Sequence, residues 1–415
     1  MQKRRILLIA VLAFVLTACR AELSTPQTTA APTTAMVNSP TPTSKPSVTP
    51  EAPVTPGPIV FPKIDRHPSA ADYHRGKMTA LPTYDPNSDE MWQMDLRSYD
   101  LTALDFRNSL DDLLFASFDD RTIWPPDDKM PDGFDRERIM EFGKNPGLGL
   151  RSLHSEGITG TNIGIAIIDQ TMLVDHQEYK DRIRLYEETE DITGGWRESQ
   201  MHGPAVASIA VGKNLGVAPG ADLYFIANVL CARGDFSCLA KSVLRIIEIN
   251  RQLLPDRKIR VLSMSIGWGQ ENDGYAEITN AVQAARDAGI FVICSSERDI
   301  YGFSFQGLGR LPIADPDNPN SYGPGSWWAK YYYDGQQQLT DTLLVPMDSR
   351  TTASPTGVDE YVYYREGGWS WSIPYIAGVY ALAAQVKPDI TPEVFWSSAL
   401  QTGKTIKITH QGQEY

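Results

Sequence analysis

The sequence predicts an α/β body built around a mainly parallel sheet. Three observations carry this: short apolar runs that do not alternate with polar residues, helical stretches between them, and polar residues at the C-terminal ends of the runs. The runs are Ile163 to Ile168 ending at Asp169, Leu223 to Ala227, Val261 to Ile266 and Ile290 to Cys294. The intervening helical stretches are His202 to Val211, Ala240 to Asn250 and Tyr275 to Ala288. Sites in such sheets lie beyond the carboxyl ends of the strands, where Asp169 and the residues after Ile266 and Cys294 fall.

Taken in chain order, Lys3, Arg4 and Arg5 precede an apolar run from Ile6 to Val15, followed by Leu16-Thr17-Ala18-Cys19. The run is short for a membrane span, so residues 1–18 read as a cleaved export signal. The Leu-x-x-Cys arrangement resembles a bacterial lipoprotein signal. That resemblance implies lipidation of Cys19 and a protein held at the outer face of the cytoplasmic membrane or at the cell surface; ordinary secretion with an incidental cysteine is the other reading. Residues 19–60 are dominated by Thr, Pro, Ser and Ala and cannot bury enough surface to offset their ordering entropy, so they are expected to form an extended tether. In residues 61–147, Trp92, Leu96, Tyr99, Leu101, Phe106, Leu113 and Phe118 recur among acidic residues. This segment is either a propeptide or an extension wrapping the main body, and the lack of an obvious processing junction favours the extension. Residues 148–415 form the main domain.

With 415 residues, 42% hydrophobic and 10% aromatic, the chain is long enough for one large core with extensions. A formal net charge of -13 argues against nucleic acid or an anionic membrane surface as the main partner.

Candidate chemistry centres on Gly367-Gly368-Trp369-Ser370-Trp371-Ser372-Ile373-Pro374-Tyr375-Ile376-Ala377-Gly378, which runs into Val379-Tyr380-Ala381-Leu382. Pro374 is expected in the first turn of a helix that begins near Ser370, because proline's missing N–H would be unpaired there anyway. A serine at such a helix start has free N–H groups and a partial positive charge beside it, where an acyl-transfer oxyanion would develop. A hydroxyl needs an imidazole to take its proton, and the imidazole needs a carboxylate to fix its tautomer. His202 opens a small-residue helix and Asp169 ends a strand, so three loops offer the three groups. Taken singly, Asp169 reads equally as a helix cap, His202 as a satisfied helix-start histidine and Ser370 as an N-cap.

On these residues the chain from about Leu148 onward resembles the subtilisin-like serine peptidases, the subtilases, with Asp, His and Ser in that order. Gly160-Thr161-Asn162-Ile163-Gly164-Ile165-Ala166-Ile167-Ile168-Asp169 is similar to the family's first strand. His202-Gly203-Pro204-Ala205-Val206-Ala207 is similar to its histidine helix, and Gly216-Val217-Ala218-Pro219-Gly220-Ala221 to a conserved turn of the family. Ser263-Met264-Ser265-Ile266-Gly267 resembles the strand that pairs with substrate, and the Ser370 stretch resembles the nucleophile motif. The resemblance implies a three-layer subtilisin-like fold and endopeptidase action: Ser370 attacks, His202 shuttles the proton, Asp169 orients it, and a peptide adds as a strand along Ser265, Ile266 and Gly267. A peptide or protein substrate, a monomeric state and no cofactor are expected.

Several positions depart from the family pattern. Trp369 and Pro204 stand where threonine is usual, Thr171 where glycine is, and Trp371 where methionine is common. Proline four residues after the nucleophile, with Ala-Gly at seven and eight, selects Ser370 over Ser372. The largest departure is Glu297, which occupies the oxyanion position where an asparagine amide is expected. An ionised carboxylate there would oppose an oxyanion by roughly 4 kcal/mol at about 4 Å and an effective dielectric near 20. A protonated one could donate instead, given burial that raises its pKa above the usual value of about 4.3. A catalytically silent subtilase fold acting as a surface binding module is therefore the second reading.

Of the four cysteines, Cys231 and Cys238 read as a small disulfide loop or as two free thiols. Cys294 reads as a core residue, with a thiol beside the oxyanion position as the alternative. Asp315-Pro316-Asp317-Asn318-Pro319-Asn320 is rich in oxygen ligands but is stiffened by two prolines, so a solvated turn is favoured over a calcium site. The aromatics of the 301–342 insertion, Trp327, Trp328 and Tyr331 to Tyr333, either cover a core edge or line a cleft.

Overall fold

The computed structural model describes residues 58–88, 90–189, 197–228, 234–337 and 339–415. The export signal, Cys19 and all but the last few residues of the tether lie outside this set. Residues 61–147 contribute β1 (Lys63–Ile64), α1 (Leu110–Leu113), β2 (Phe118–Asp119) and α2 (Arg136–Lys144), and α3 (Leu150–Ser155) leads into the main body.

The body alternates strand and helix: β3 (Gly164–Asp169), β4 (Ile183–Glu188), α4 (His202–Val211), β5 (Asp222–Ala227), α5 (Ser237–Gln252), β6 (Ile259–Ser263), α6 (Tyr275–Asp287) and β7 (Phe291–Ile293). These strands and β1 form a six-stranded sheet of order β1-β4-β5-β3-β6-β7 in which every pairing is parallel. β5 pairs with β3 in unbroken register, from Gly164 opposite Asp222 to Asp169 opposite Ala227, whereas the pairing with β6 shifts by one residue between Gly164 opposite Ile259 and Ile165 opposite Val261. The all-apolar run of β3 is explained by its two covered faces. Ile165 and Ile167 enter one core cluster while Ala166 and Ile168 enter the other, as the period of two requires. Helices α5 and α6 cover the second face through Leu239, Val243, Ile246, Ile278 and Val282.

The first face is covered by α4 and by α9 (Trp369–Val386), followed by α10 (Pro392–Thr402). Helix α9 is apolar around most of its circumference, and that composition is stable only in a helix enclosed by protein. Between β7 and α9 lie α7 (Glu297–Tyr301), β8 (Ser304–Arg310), β9 (Tyr322–Pro324), α8 (Ser326–Tyr333) and β10 (Thr342–Pro346), then β11 (Arg350–Ala353) and β12 (Tyr361–Tyr364). They form two small sheets, β10-β8-β9 and β11-β12-β2.

Residues 61–147 are built into this body at two sheets. β1 pairs with β4, and β2 pairs with β12 through Phe118 opposite Tyr363. Their own apolar cluster, which includes Leu96, Leu101, Phe106 and Phe118, also takes in Leu215, Tyr361 and Tyr363 of the main body.

Two expectations are corrected. The run expected to extend to Ile266 leaves the sheet after Ser263, because the Ile266 N–H turns back to the Met264 carbonyl at 2.8 Å. Pro374 lies inside α9, beyond its first turn, so its missing N–H removes an interior hydrogen bond.

Candidate active site

Asp169 is the last residue of β3 and is fully buried. Its Oδ1 accepts the Gln170 N–H at 2.7 Å and lies 2.7 Å from His202 Nδ1, while Oδ2 is buried without a partner. The close approach of the two loops depends on Gly203: a Cβ there would sit 2.4 Å from the Gln170 carbonyl oxygen. Pro204 falls in the first turn of α4, where the N–H it lacks has no intrahelical acceptor. Thr171 is also explained: its Oγ1 donates to the Glu198 carbonyl at 2.8 Å and its own carbonyl accepts Gln200 N–H at 2.9 Å, holding the segment that leads into His202. Burial alone pulls the His202 pKa down, but the charge of Asp169 and its hydrogen bond outweigh this and leave it raised. A proton acceptor must be neutral, so any reaction using His202 as a base gains as pH rises through that raised value.

Ser370 is the second residue of α9, after the extended Gly368 at φ -158°, and its N–H is among those that lack an intrahelical acceptor. The adjacent Trp371 ring stands edge-on to His202, with centroids 5.5 Å apart, and to Tyr364 at 5.2 Å. Such a contact is worth about 0.5–1.5 kcal/mol and brings His202 beside the start of α9. No hydrogen bond between His202 and Ser370 closes among the described residues. Catalytic bonds in unliganded sites are often long and tighten only with substrate. Ser372 is fully buried and its Oγ has no partner, so of the two serines only Ser370 is partly exposed.

Pro374 leaves the Ser370 carbonyl without its donor from one turn on. Ser265 supplies a replacement, its Oγ donating to that carbonyl at 3.3 Å. A net hydrogen bond of this kind is worth about 1 kcal/mol. Ser265→Ala is therefore expected to lower any Ser370-dependent turnover by up to about 10-fold, with Ser265→Thr near wild type, read by steady-state hydrolysis. Ser265, Ile266 and Gly267 are partly exposed between buried Met264 and Trp268. The Ile266 carbonyl accepts the Ser295 N–H at 3.0 Å. Among the described residues the N–H groups of Ser265 and Gly267 make no backbone hydrogen bond, which leaves an edge suited to an added strand.

Glu297 opens α7 and is 1% exposed. Its Oε1 accepts the Cys294 N–H at 2.8 Å, and Oε2 is buried without a partner. Burial pushes its pKa well above the usual value, which favours the protonated form of this carboxyl, folded back over the end of β7. It makes no hydrogen bond to Ser370 or His202. The unfolded chain releases this proton near pH 4.3, so between that pH and the raised value the native state holds more protons. Stability then falls as pH rises, at up to about 1.4 kcal/mol per pH unit. Glu297→Gln keeps the acceptor for Cys294 and is expected to flatten this fall, seen as closer urea midpoints at about pH 5 and pH 8 than in the wild type.

Cys294 is a free, buried thiol whose pKa burial pushes well up, the environment of an inert core cysteine. Cys238 is disulfide-bonded, and the Cys231 half of the expected loop lies outside the described residues. In the Asp315–Asn320 segment, Asp317 accepts from Asn145 Nδ2 at 2.8 Å and from Gly149 N–H at 2.9 Å, and Asp315 accepts the Asp317 N–H at 2.9 Å. Among the described residues no group of His, Cys, Asp and Glu is arranged to hold a metal ion, and no helix is long and apolar enough to cross a membrane. The insertion's aromatics divide: Trp328 is buried, whereas Trp327 packs edge-on to Trp369 with centroids 5.3 Å apart.

Sequence reasoning missed the residues that hold the Ser370 turn, chiefly Gln306 and Asp348. The tryptophan at position 369 was the available signal, since an indole N–H near a buried site needs an acceptor.

Residues 160–318 match the family described as the subtilase family. The matched stretch contains Asp169, His202 and Glu297 and ends before Ser370. The chain is 24% identical over 245 residues to the extracellular serine proteinase of Thermus sp. strain Rt41A, covering 58% of this chain and 55% of that protein. The chain thus spans about half the length of this curated relative. Among solved structures it is similar to a cold adapted subtilisin-like serine proteinase, with 19% identity, a TM-score of 0.40 and coverage of 58% of this chain and 81% of that one. It is likewise similar to the prenylagaramide maturation protease PagA, with 17% identity, a TM-score of 0.39 and coverage of 59% and 83%.

Proposed function

We propose that this chain, a divergent member of the subtilase family by the match of residues 160–318, is a serine endopeptidase that cleaves peptide bonds through Asp169, His202 and Ser370. The observation that carries this reading is the 2.7 Å contact of Asp169 Oδ1 with His202 Nδ1, packed against the helix start that bears Ser370. A carboxylate on Nδ1 leaves Nε2 free to take the serine proton and stabilises the imidazolium that results. Ser370 Oγ then attacks the scissile carbonyl, and the carbonyl oxygen gathers negative charge near the Ser370 N–H. Collapse of the tetrahedral species returns the proton from His202 to the leaving amine. Water repeats the sequence on the acyl-enzyme. The substrate backbone lies along Ser265 to Gly267, where the N–H groups of Ser265 and Gly267 serve as strand partners.

The protein works outside the cytoplasm, held by lipid on Cys19 through the Thr/Pro-rich tether, and residues 61–147 stay with the mature body as strands of two of its sheets. It acts as a monomer on peptide or protein substrates and needs no cofactor.

A serine-directed fluorophosphonate tests the reading. Wild-type protein is expected to label at Ser370 and Ser370→Ala to remain unlabelled. A folded wild type that stays unlabelled from about pH 5 to about pH 9 would overturn it. That outcome would favour the second reading, a silent fold serving as a surface binding module. Glu297 specifically supports this alternative, since its carboxyl is engaged with Cys294 where an oxyanion donor is expected.

A further inference from the structure

The turn that carries Ser370 is restrained from outside by side chains of the preceding 306–348 stretch. We infer that Gln306, together with Asp348, is a positioning residue for the nucleophile, an inference that rests on the peptidase reading above. Gly368, the last residue before α9, has nothing within 4 Å of where a Cβ would stand, so no side chain packs on that side, and its own bond is the Trp371 N–H to its carbonyl at 2.8 Å. Restraint comes from the residues on either side. Gly367 donates its N–H to Asp348 Oδ1 at 2.8 Å, and a Cβ at Gly367 would lie 2.6 Å from the Met347 carbonyl oxygen. Asp348 is itself held, with Oδ2 accepting the Ser326 N–H at 2.7 Å and the Ser326 hydroxyl at 2.9 Å.

On the other side Trp369 donates its indole N–H to Gln306 Oε1 at 2.8 Å, and its ring packs on Phe305 and Trp327. Gln306 is 4% exposed, so this amide oxygen accepts from the indole in a largely dry setting, where a lost partner is felt most. The two bonds bracket this glycine and fix the direction in which the backbone enters Ser370. An angular error here moves the hydroxyl relative to His202, and a misplacement of about 1 Å is enough to cost roughly 10²-fold in rate. The tryptophan at 369 thereby has a role: its indole N–H and the buried glutamine act as one latch.

The test is a double-mutant cycle on the full-length protein, with Gln306→Met removing the acceptor and Trp369→Phe removing the donor while keeping a ring. Each single variant is expected to lower kcat by about 10- to 100-fold and to slow fluorophosphonate inactivation in parallel, with KM within about 3-fold of wild type. The double variant is expected to be no worse than the poorer single one, because both remove the same bond. Losses that multiply, a change confined to KM, or an unchanged kcat in Gln306→Met would overturn the inference. Urea midpoints of all three variants separate loss of fold from loss of alignment. An unlabelled wild type sinks the peptidase reading and this inference with it, whereas a labelled wild type with an indifferent Gln306→Met sinks only the latch.

Discussion

Alanine at position 370 is expected to lower peptide hydrolysis by about 10⁶-fold, a size taken from measured subtilases and not from this geometry. Removing the nucleophile leaves only the polar surroundings of the carbonyl and the binding of the substrate to assist a water molecule. Fold and binding should persist, since Ser370 is only partly buried and its side chain makes no hydrogen bond among the described residues. Ser372→Ala is the matched control. Its hydroxyl is fully buried and unpartnered, so alanine removes a desolvated polar group, and both activity and stability should stay at or above wild type. Hydrolysis of a quenched-fluorescence peptide by the two variants decides between the serines. Loss in Ser372→Ala with activity retained in Ser370→Ala would reverse the assignment.

Asparagine at position 169 is expected to cost about 10⁴-fold in kcat. Asp169 Oδ1 already accepts one backbone N–H and faces His202 Nδ1, which fixes the imidazole as an Nδ1–H donor with Nε2 open. An amide that turned its NH₂ toward the ring would stabilise the opposite tautomer and place a hydrogen where the serine proton must go. It would also remove the charge that raises the His202 pKa, so the residual activity should reach its plateau at lower pH than in the wild type. The fold is expected to tolerate the change, because a neutral side chain relieves the desolvation of a carboxylate whose Oδ2 has no partner. A pH–rate profile of Asp169→Asn checks both the size of the loss and the direction of the shift.

The parts of this arrangement that could be read along the chain are those with a local cause. Asp169, His202 and Ser370 each sit where a strand or helix starts or stops, and small residues, glycine and apolar runs mark those points without reference to the rest of the fold. Helix α4 and the core of β3 were legible for the same reason. β1 and β2 were not, because a two-residue strand has no periodicity and exists only through its distant partner. Gln306 and Asp348 carried no local signal, since their burial is a property of the assembled sheets. Pro374 was misplaced because its consequence, a carbonyl left for Ser265 to satisfy, involves a residue 105 positions away. Glu297 was identified, but its protonation depends on a burial that the sequence does not display.

The union of β2 with β12 also governs how this chain can acquire its shape. Asp120 and Tyr361, joined at that sheet, are 241 positions apart. Closing so wide a span is entropically slow and yields nothing until both ends are present. The early segment can therefore complete this sheet only once the chain as far as Tyr361 and Tyr363 is present. Products cut short before Tyr361 would leave that segment homeless and prone to clump, while those that include it could finish in a single late docking event.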